Sequence, residues 1–187
     1  MRVIAGSARG TKLLPPAPGT RPVADRAREG LFSSLGERVV GAACLDLFAG
    51  TGALGIEALS RGAARCTFVD RSHQAIATIY GNLERTHLAD RGILVTRDVG
   101  TYLQERPSGH EAVDLVFVDP PYELEGAALD GVLARLDRNW LPAEGWTVVV
   151  TRGHKGSLPA VPVHWAARRQ LRYGDSLVIA YQEVGWA

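Results

Sequence analysis

Three groups of residues in this chain have types and spacings suited to chemistry. The first is AGTGALG (49–55), where Gly50, Gly52 and Gly55 make a G-x-G-x-x-G pattern. Glycines so placed fit a tight turn whose backbone comes close to a ligand, because a Cβ would fill the space the ligand needs. The second is a set of acids in or after apolar runs: Asp46 within LDLF, Asp70 closing RCTFVD, and Asp98 in TRDVG. Asp70 follows Gly50 by twenty positions, the separation at which a carboxylate can accept from a ribose diol, although it is also placed to cap the next helix. Asp98 has the same two readings, as a helix cap or as an acceptor for the amino group of an adenine. The third is VFVDPPYE (116–123), an apolar run stopped by an acid, two prolines and a tyrosine. Two prolines offer no N–H and end any central strand, so the stretch is either a rigid turn or something more.

Each group needs an element to hold it. CLDLF (44–48) predicts a strand running into the glycines, IEALSRG (56–62) a helix closed by Gly62, and RCTFVD (65–70) a strand ending on Asp70. HQAIATIYGNLERT (73–86) and AALDGVLARLD (127–137) predict helices, and GILVT (92–96), VDLVFVD (113–119) and WTVVVT (146–151) predict strands. Upstream, Ala27, Leu31, Phe32 and Leu35 have helical spacing behind Asp25, a candidate cap. Strands alternating with helices imply an α/β fold with a parallel sheet covered on both faces, and ligands bind beyond the carboxyl ends of such strands, where strand order reverses. The glycine turn, Asp70, Asp98 and Asp119-Pro120-Pro121-Tyr122 all fall at those ends. RQLRY (169–173) and SLVIAYQ (176–182), joined by Gly174-Asp175, predict an antiparallel hairpin at the sheet edge. RVIA (2–5) and TKLL (11–14) around GSARG predict a smaller one, followed by the linker PPAPGTRP (15–22).

The 187 residues, 46% hydrophobic and 22% charged, suffice for one well-buried core. No apolar run approaches the roughly 18 residues that span a bilayer, and MRVIAGSARG lacks the long apolar stretch of a signal peptide; the expected location is the cytoplasm, with no membrane partner. Cys44 and Cys66 stand apart in apolar contexts and the five histidines are scattered, so buried thiols and no metal site are expected. Net charge is +1, but residues 1–29 hold Arg2, Arg9, Lys12, Arg21, Arg26 and Arg28 against Asp25 and Glu29. That local excess is either a solvated face or a surface for a polyanion. RGHKG (152–156) is a further basic loop on the ligand side of the sheet, and Trp140, Trp146, Trp165 and Trp186 read as packing residues.

The glycine turn and acids suit a dinucleotide or an adenosyl ligand equally. The acid inside the first strand and the terminal antiparallel hairpin resemble the class I S-adenosylmethionine methyltransferases. That likeness implies a Rossmann-like seven-stranded sheet, with Gly50, Gly52 and the Asp46 region at the methionine part of the cofactor, Asp70 at the ribose and Asp98 at the adenine. Asp119-Pro120-Pro121-Tyr122 resembles the (Asn/Asp)-Pro-Pro-(Tyr/Phe/Trp) motif of enzymes that methylate exocyclic amines of nucleobases. Such an amine is a poor nucleophile because its lone pair is delocalised into the ring. Asp119 and the Pro120 carbonyl would hold its N–H groups and turn the lone pair toward the methyl, while Tyr122 stacks on the extruded base.

A likeness to one family covers nearly the whole chain. RVIAGSARGTKL, RPVADRAREGLFSSL, LDLFAGTGALGIEALSRGA, the NL of GNLERT and VFVDPPY, in this order and spacing, resemble the RsmD family of small-subunit (16S) rRNA guanine-N2 methyltransferases. A departure is Thr51, where serine is frequent. The resemblance implies a short N-terminal basic hairpin with its linker (1–22) beside a methyltransferase domain (23–187). It implies S-adenosyl-L-methionine as cofactor and small-subunit rRNA, within a ribosomal particle, as partner. Arg2, Arg9, Lys12, Arg21 and Arg26 then become candidate phosphate contacts. An adenine-N6 methyltransferase and a non-catalytic module binding adenosylmethionine or a dinucleotide are the competing readings. Asn82 matches the family, although a helix-surface amide is its simpler explanation.

Overall fold

The structure, a computed structural model, describes residues 1–16, 23–105, 112–121, 124, 126–153 and 158–185. Its strands are β1 (Ala43–Leu47), β2 (Arg65–Asp70), β3 (Gly92–Thr96), β4 (Leu115–Val118), β5 (Thr147–Gly153), β6 (Trp165–Tyr173) and β7 (Ser176–Glu183). The helices are α1 (Asp25–Leu35), α2 (Ala53–Ser60), α3 (His73–Thr86), α4 (Val99–Gln104) and α5 (Ala127–Asn139). The strands form one sheet in the order β3-β2-β1-β4-β5-β7-β6, parallel through β5, with β7 antiparallel to both β5 and β6. Order reverses between β1 and β4, which opens a crevice at their carboxyl ends.

Burial follows from that order. β1 and β4 are buried at every position because they are the two central strands of the switch point. One core, built on Phe32, Ile56, Leu59, Phe68, Ile79 and Phe117, lies under α1, α2 and α3. The other, built on Leu45, Val116, Leu133, Leu136 and Trp140, lies under α4 and α5. Cys44 and Cys66 face each other across β1 and β2, reduced, and burial pushes both thiols up. Trp140, Trp146 and Trp165 are buried packing residues; Trp186 lies outside the described residues.

Several expected boundaries move for identifiable reasons. Phe48, assigned to the first strand, has left the sheet with φ +58°. α2 begins three residues earlier than its apolar pattern suggests, because a carboxylate from another strand caps it. Asp25 does not cap α1: Ala24 is the cap position and makes no side-chain bond, while Asp25 pairs with Arg28 at 2.7 Å. α4, short and preceded by charged residues, escapes the periodicity. β6 starts at Trp165 rather than 169 and has a bulge between Ala167 and Arg169.

The N-terminal segment closes through an Arg2–Lys12 bridge, with Val3 N–H donating to Thr11 O and Gly10 N–H to Val3 O. It packs on α2. The Glu57 carboxylate accepts from Ile4 N–H (2.8 Å) and Ala5 N–H (3.1 Å), and Ser60 Oγ accepts from Ala8 N–H (3.0 Å). Glu57 is fully buried, as is Arg28, whose Nη2 donates to Arg2 O and Asp25. Arg28 therefore does not belong to the surface charge it seemed to add to in the sequence.

Candidate active site

Between β1 and β4 lies a cleft of about 390 Å³, within the range of small-molecule sites. Its walls include Asp46, the Phe48–Thr51 turn, Asp70, Asp119, Pro120, Thr151 and the β6–β7 turn residues Asp175 and Ser176. Three of the four singled-out acids, Asp46, Asp70 and Asp119, are thus brought together with Gly50; Gly52 does not line the cleft, and a Cβ there would meet the Ile79 side chain at 3.1 Å and the Phe68 ring at 3.2 Å.

The turn is built to expose backbone. Phe48, Gly50 and Gly52 all take positive φ (+58°, +57° and +73°), a region costly for phenylalanine and open to glycine. A Cβ on Gly50 would meet only Phe48 O at 3.9 Å, so the space beside it is open to a ligand. Gly55 serves differently: a Cβ there would fall 2.3 Å from the Phe68 ring and 2.6 Å from Cys66 Sγ, so it lets α2 lie against β2.

Three side chains from three elements fix this turn. Asp70 Oδ2 accepts from Gly50 N–H at 2.9 Å, Asp46 Oδ2 from Gly55 N–H at 2.9 Å, and Asn82 Nδ2 donates to Thr51 O at 2.9 Å. Asp46 supplies from β1 the cap that Gly52, lacking a side chain, cannot give α2. Burial raises its carboxyl well above the usual range, with the Gly55 hydrogen bond opposing. Asp70 does not cap α3; Ser72 does, accepting from Ala75 N–H, while Asp70 Oδ1 accepts from Ser72 N–H. Each carboxylate oxygen of Asp70 retains a lone pair for a further donor. Asp98 caps α4, its Oδ1 accepting from Thr101 N–H at 3.0 Å; it is exposed and is not among the residues that line the cleft.

Asn82 corrects the surface-amide reading. It is fully buried, and its Oδ1 accepts from Leu14 N–H at 2.7 Å while its amide holds the glycine turn. The clue available in sequence was its placement three residues after Ile79 and next to Leu83, on the apolar face of α3.

At the opposite wall Asp119 follows β4, its N–H donating to Leu47 O. The buried Thr151 hydroxyl donates to Asp119 Oδ1. Burial pushes the Asp119 carboxyl up to about 6, against the lowering effect of that hydrogen bond. One of its oxygens is held by Thr151, and the other has no partner among the described residues. Pro120 and Pro121 line the cleft beside it; Tyr122 lies outside the described residues. Thr151 has no signature in sequence, being one residue of the apolar strand WTVVVT, 32 positions from its partner. Arg2, Arg9, Lys12 and Arg26 are exposed away from these walls; Arg21 and most of the 152–156 loop lie outside the described residues.

A 3-2-1-4-5-7-6 sheet with a glycine turn after β1 and an acid closing β2 defines a class I S-adenosylmethionine-dependent methyltransferase. A family model described as Conserved hypothetical protein 95 matches residues 1–182. Ribosomal RNA small subunit methyltransferase D of Escherichia coli is 37% identical over 97% of this chain and 89% of its own length, and the Haemophilus influenzae protein of that name 30% identical over 97% and 92%. The solved structure of Escherichia coli yhhF, 36% identical, superposes with TM-score 0.85 over 98% of this chain and 97% of that one. The chain belongs to the RsmD family of methyltransferases.

Proposed function

We propose that this enzyme transfers the methyl group of S-adenosyl-L-methionine to the exocyclic N2 amine of a guanine in small-subunit (16S) rRNA, presented within a ribosomal particle. The observation that carries the reading is the Asp119 carboxyl group, one oxygen held by Thr151, in a cleft whose other wall is the glycine turn. The names of the relatives support small-subunit rRNA as the substrate, and the guanine N2 amine rests on the family resemblance.

The residues fit the cofactor. Gly50 leaves open space at the turn, Asp46 lines the end suited to the methionine part, and Asp70 has acceptors for ribose hydroxyls. Asp98, with Oδ1 engaged as a cap, would meet an adenine amino group through Oδ2. Bound there, S-adenosylmethionine supplies an electrophilic methyl group. Asp119 and the Pro120 carbonyl accept the two N–H groups of the target amine and turn its lone pair into the cleft, and Tyr122 stacks on the base. Transfer would break the methyl–sulfur bond, leaving the cofactor as a neutral thioether and the amine nitrogen positive; the Asp119 charge would stabilise that nitrogen until its proton passes to solvent, so no separate base is needed.

Residues 1–22 serve as the RNA-contacting arm of the 23–187 methyltransferase domain. Arg2 and Lys12 stand directly opposite each other in the arm, a repulsive pairing that a phosphate between them would relieve. The test is methyl transfer from labelled cofactor to rRNA and to small subunits from a strain lacking its own enzyme, followed by nucleoside mapping. N2-methylguanosine in the small-subunit RNA supports the reading; N6-methyladenosine, or no transfer to either substrate, overturns it.

A further inference from the structure

On the flank of the domain, away from the catalytic cleft, a second hollow of about 540 Å³ runs between α1 and edge strand β6. Arg38, Arg168 and Arg169 line it with Ser33, Tyr173 and Gln182, and among the described residues none of its walls is acidic. We propose that this groove binds the phosphate backbone of the rRNA flanking the target guanine, an inference that rests on the function proposed above.

The first support is the bulge. In a regular strand successive side chains alternate, so Arg168 and Arg169 would point to opposite faces. The register shift between Ala167 and Arg169 breaks the alternation, and both arginines line the groove. Bulges are a recognised means of re-aiming side chains. Arg168 is anchored from Nη2 to Glu183 O at 3.0 Å, and Arg169 is exposed beside it.

The second support is continuity with the reaction centre. β6 runs parallel to β5, so Tyr173, at its carboxyl end, lies at the same end of the sheet as Asp119. The turn that follows Tyr173 gives Asp175 and Ser176 to the catalytic cleft itself. From Tyr173 back to Arg169 is four strand residues, about 13 Å. A strand of RNA leaving the cleft over the β6–β7 turn thus meets the hollow first at Tyr173 and then at the arginines. Gly30 shows that the passage is shaped closely: a Cβ there would lie 1.8 Å from the Tyr173 hydroxyl, so glycine lets the ring lie against α1.

Arginines on an edge strand can also serve only to prevent strand addition, and an acidic protein is the other polyanion the groove would fit. Arg169→Gln and Arg168→Gln/Arg169→Gln in the full chain separate these. The expected result is weaker binding to small-subunit rRNA. The log-affinity against log-salt slope should be shallower by about 0.7 for each phosphate left without its cation, with adenosylmethionine affinity and modified nucleoside unchanged in both and melting temperature unchanged in Arg169→Gln. Arg169→Lys should retain most of the affinity, and as a folded control it keeps the test valid should the double variant misfold. Unchanged RNA affinity and slope in folded Arg169→Gln would overturn the proposal. So would normal binding to naked rRNA with loss only toward assembled subunits, which would place an acidic protein there. Wild-type methyl transfer is run alongside: its absence overturns the functional reading and this inference with it, whereas transfer by wild type with a silent Arg169→Gln overturns the groove alone.

Discussion

At the residue scale, the proposed chemistry turns on how Asp119 is held. Orienting an amine and abstracting its proton both call for a carboxylate, yet they diverge when the charge is removed and the shape kept. If Asp119 orients, Asp119→Ala should keep cofactor binding and lose about a hundredfold or more in single-turnover transfer, while Asp119→Asn, still an acceptor, retains an intermediate rate. Equal rates for the two variants would indicate a base instead. Its raised carboxyl adds a pH signature: transfer should fall as pH drops through about 6, two units above where an ordinary carboxylate titrates, and Asp119→Asn should lack that limb. The stability sign is opposite to that of a salt-bridged acid. Between about pH 4 and 6 the folded state binds more protons than the unfolded, so wild-type stability falls as pH rises through this window, and the asparagine variant is spared the fall. Denaturant titration at pH 4.5 and 7 in both proteins checks this. Thr151→Val leaves the shape but removes the donated hydrogen bond, so it should move the acid limb upward and lower the rate; an unmoved limb would show that the hydroxyl does not tune Asp119. Across the cleft, Asp70→Ala should weaken adenosylmethionine binding by about 1.5–3 kcal/mol, the range for hydrogen bonds to a charged group, measured by calorimetric titration.

At the element scale, the glycine turn belongs to no single segment: β1 holds it through Asp46, β2 through Asp70 and α3 through Asn82. Removing Asn82 leaves Thr51 O and Leu14 N–H without this partner, so Asn82→Ala should cost on the order of 2–4 kcal/mol in denaturant unfolding. It should also weaken cofactor binding and raise hydrogen exchange at Leu14. Normal exchange with normal affinity would mean that the turn holds itself. This arrangement also explains what was legible in the chain. β2, α3 and β3 agree with their expected ranges, because their apolar periods and flanking turn residues are local signals. The start of α2 was not legible, since its cap comes from Asp46 nine positions away across the turn. Neither was Thr151, whose role exists only because β4 and β5 are neighbours in the sheet. Asp46, Gly50, Asp70 and Asp119 were legible as neighbours because the parallel strands β1, β2 and β4 send their carboxyl ends to one edge.

At the scale of the whole molecule, a net charge of +1 conceals a division of labour. Four acids, Asp46, Asp70, Asp119 and Asp175, line the cleft with the buried Arg152 among them, while Arg2, Arg9 and Lys12 stand exposed on the arm. The arm is no loose tether. Val3, Ala8 and Leu13 are buried in the domain core, and Glu57 and Ser60 bind its backbone to α2, the helix that leaves the glycine turn. Phosphates seated on the arm would therefore stand in fixed relation to the cleft, positioning the RNA without reading its bases. Arg9→Ala/Lys12→Ala removes charge but none of the backbone bonds that hold the arm. It should lower rRNA affinity and flatten the salt dependence by about 0.7 per phosphate no longer neutralised, while cofactor affinity and the modified position stay as in wild type. A change in which guanine is methylated would mean that the arm reads sequence. Equal RNA affinity and an equal salt slope would assign it to folding alone, because Arg28 and Glu57, fully buried behind it, already join the arm, α1 and α2 into one body.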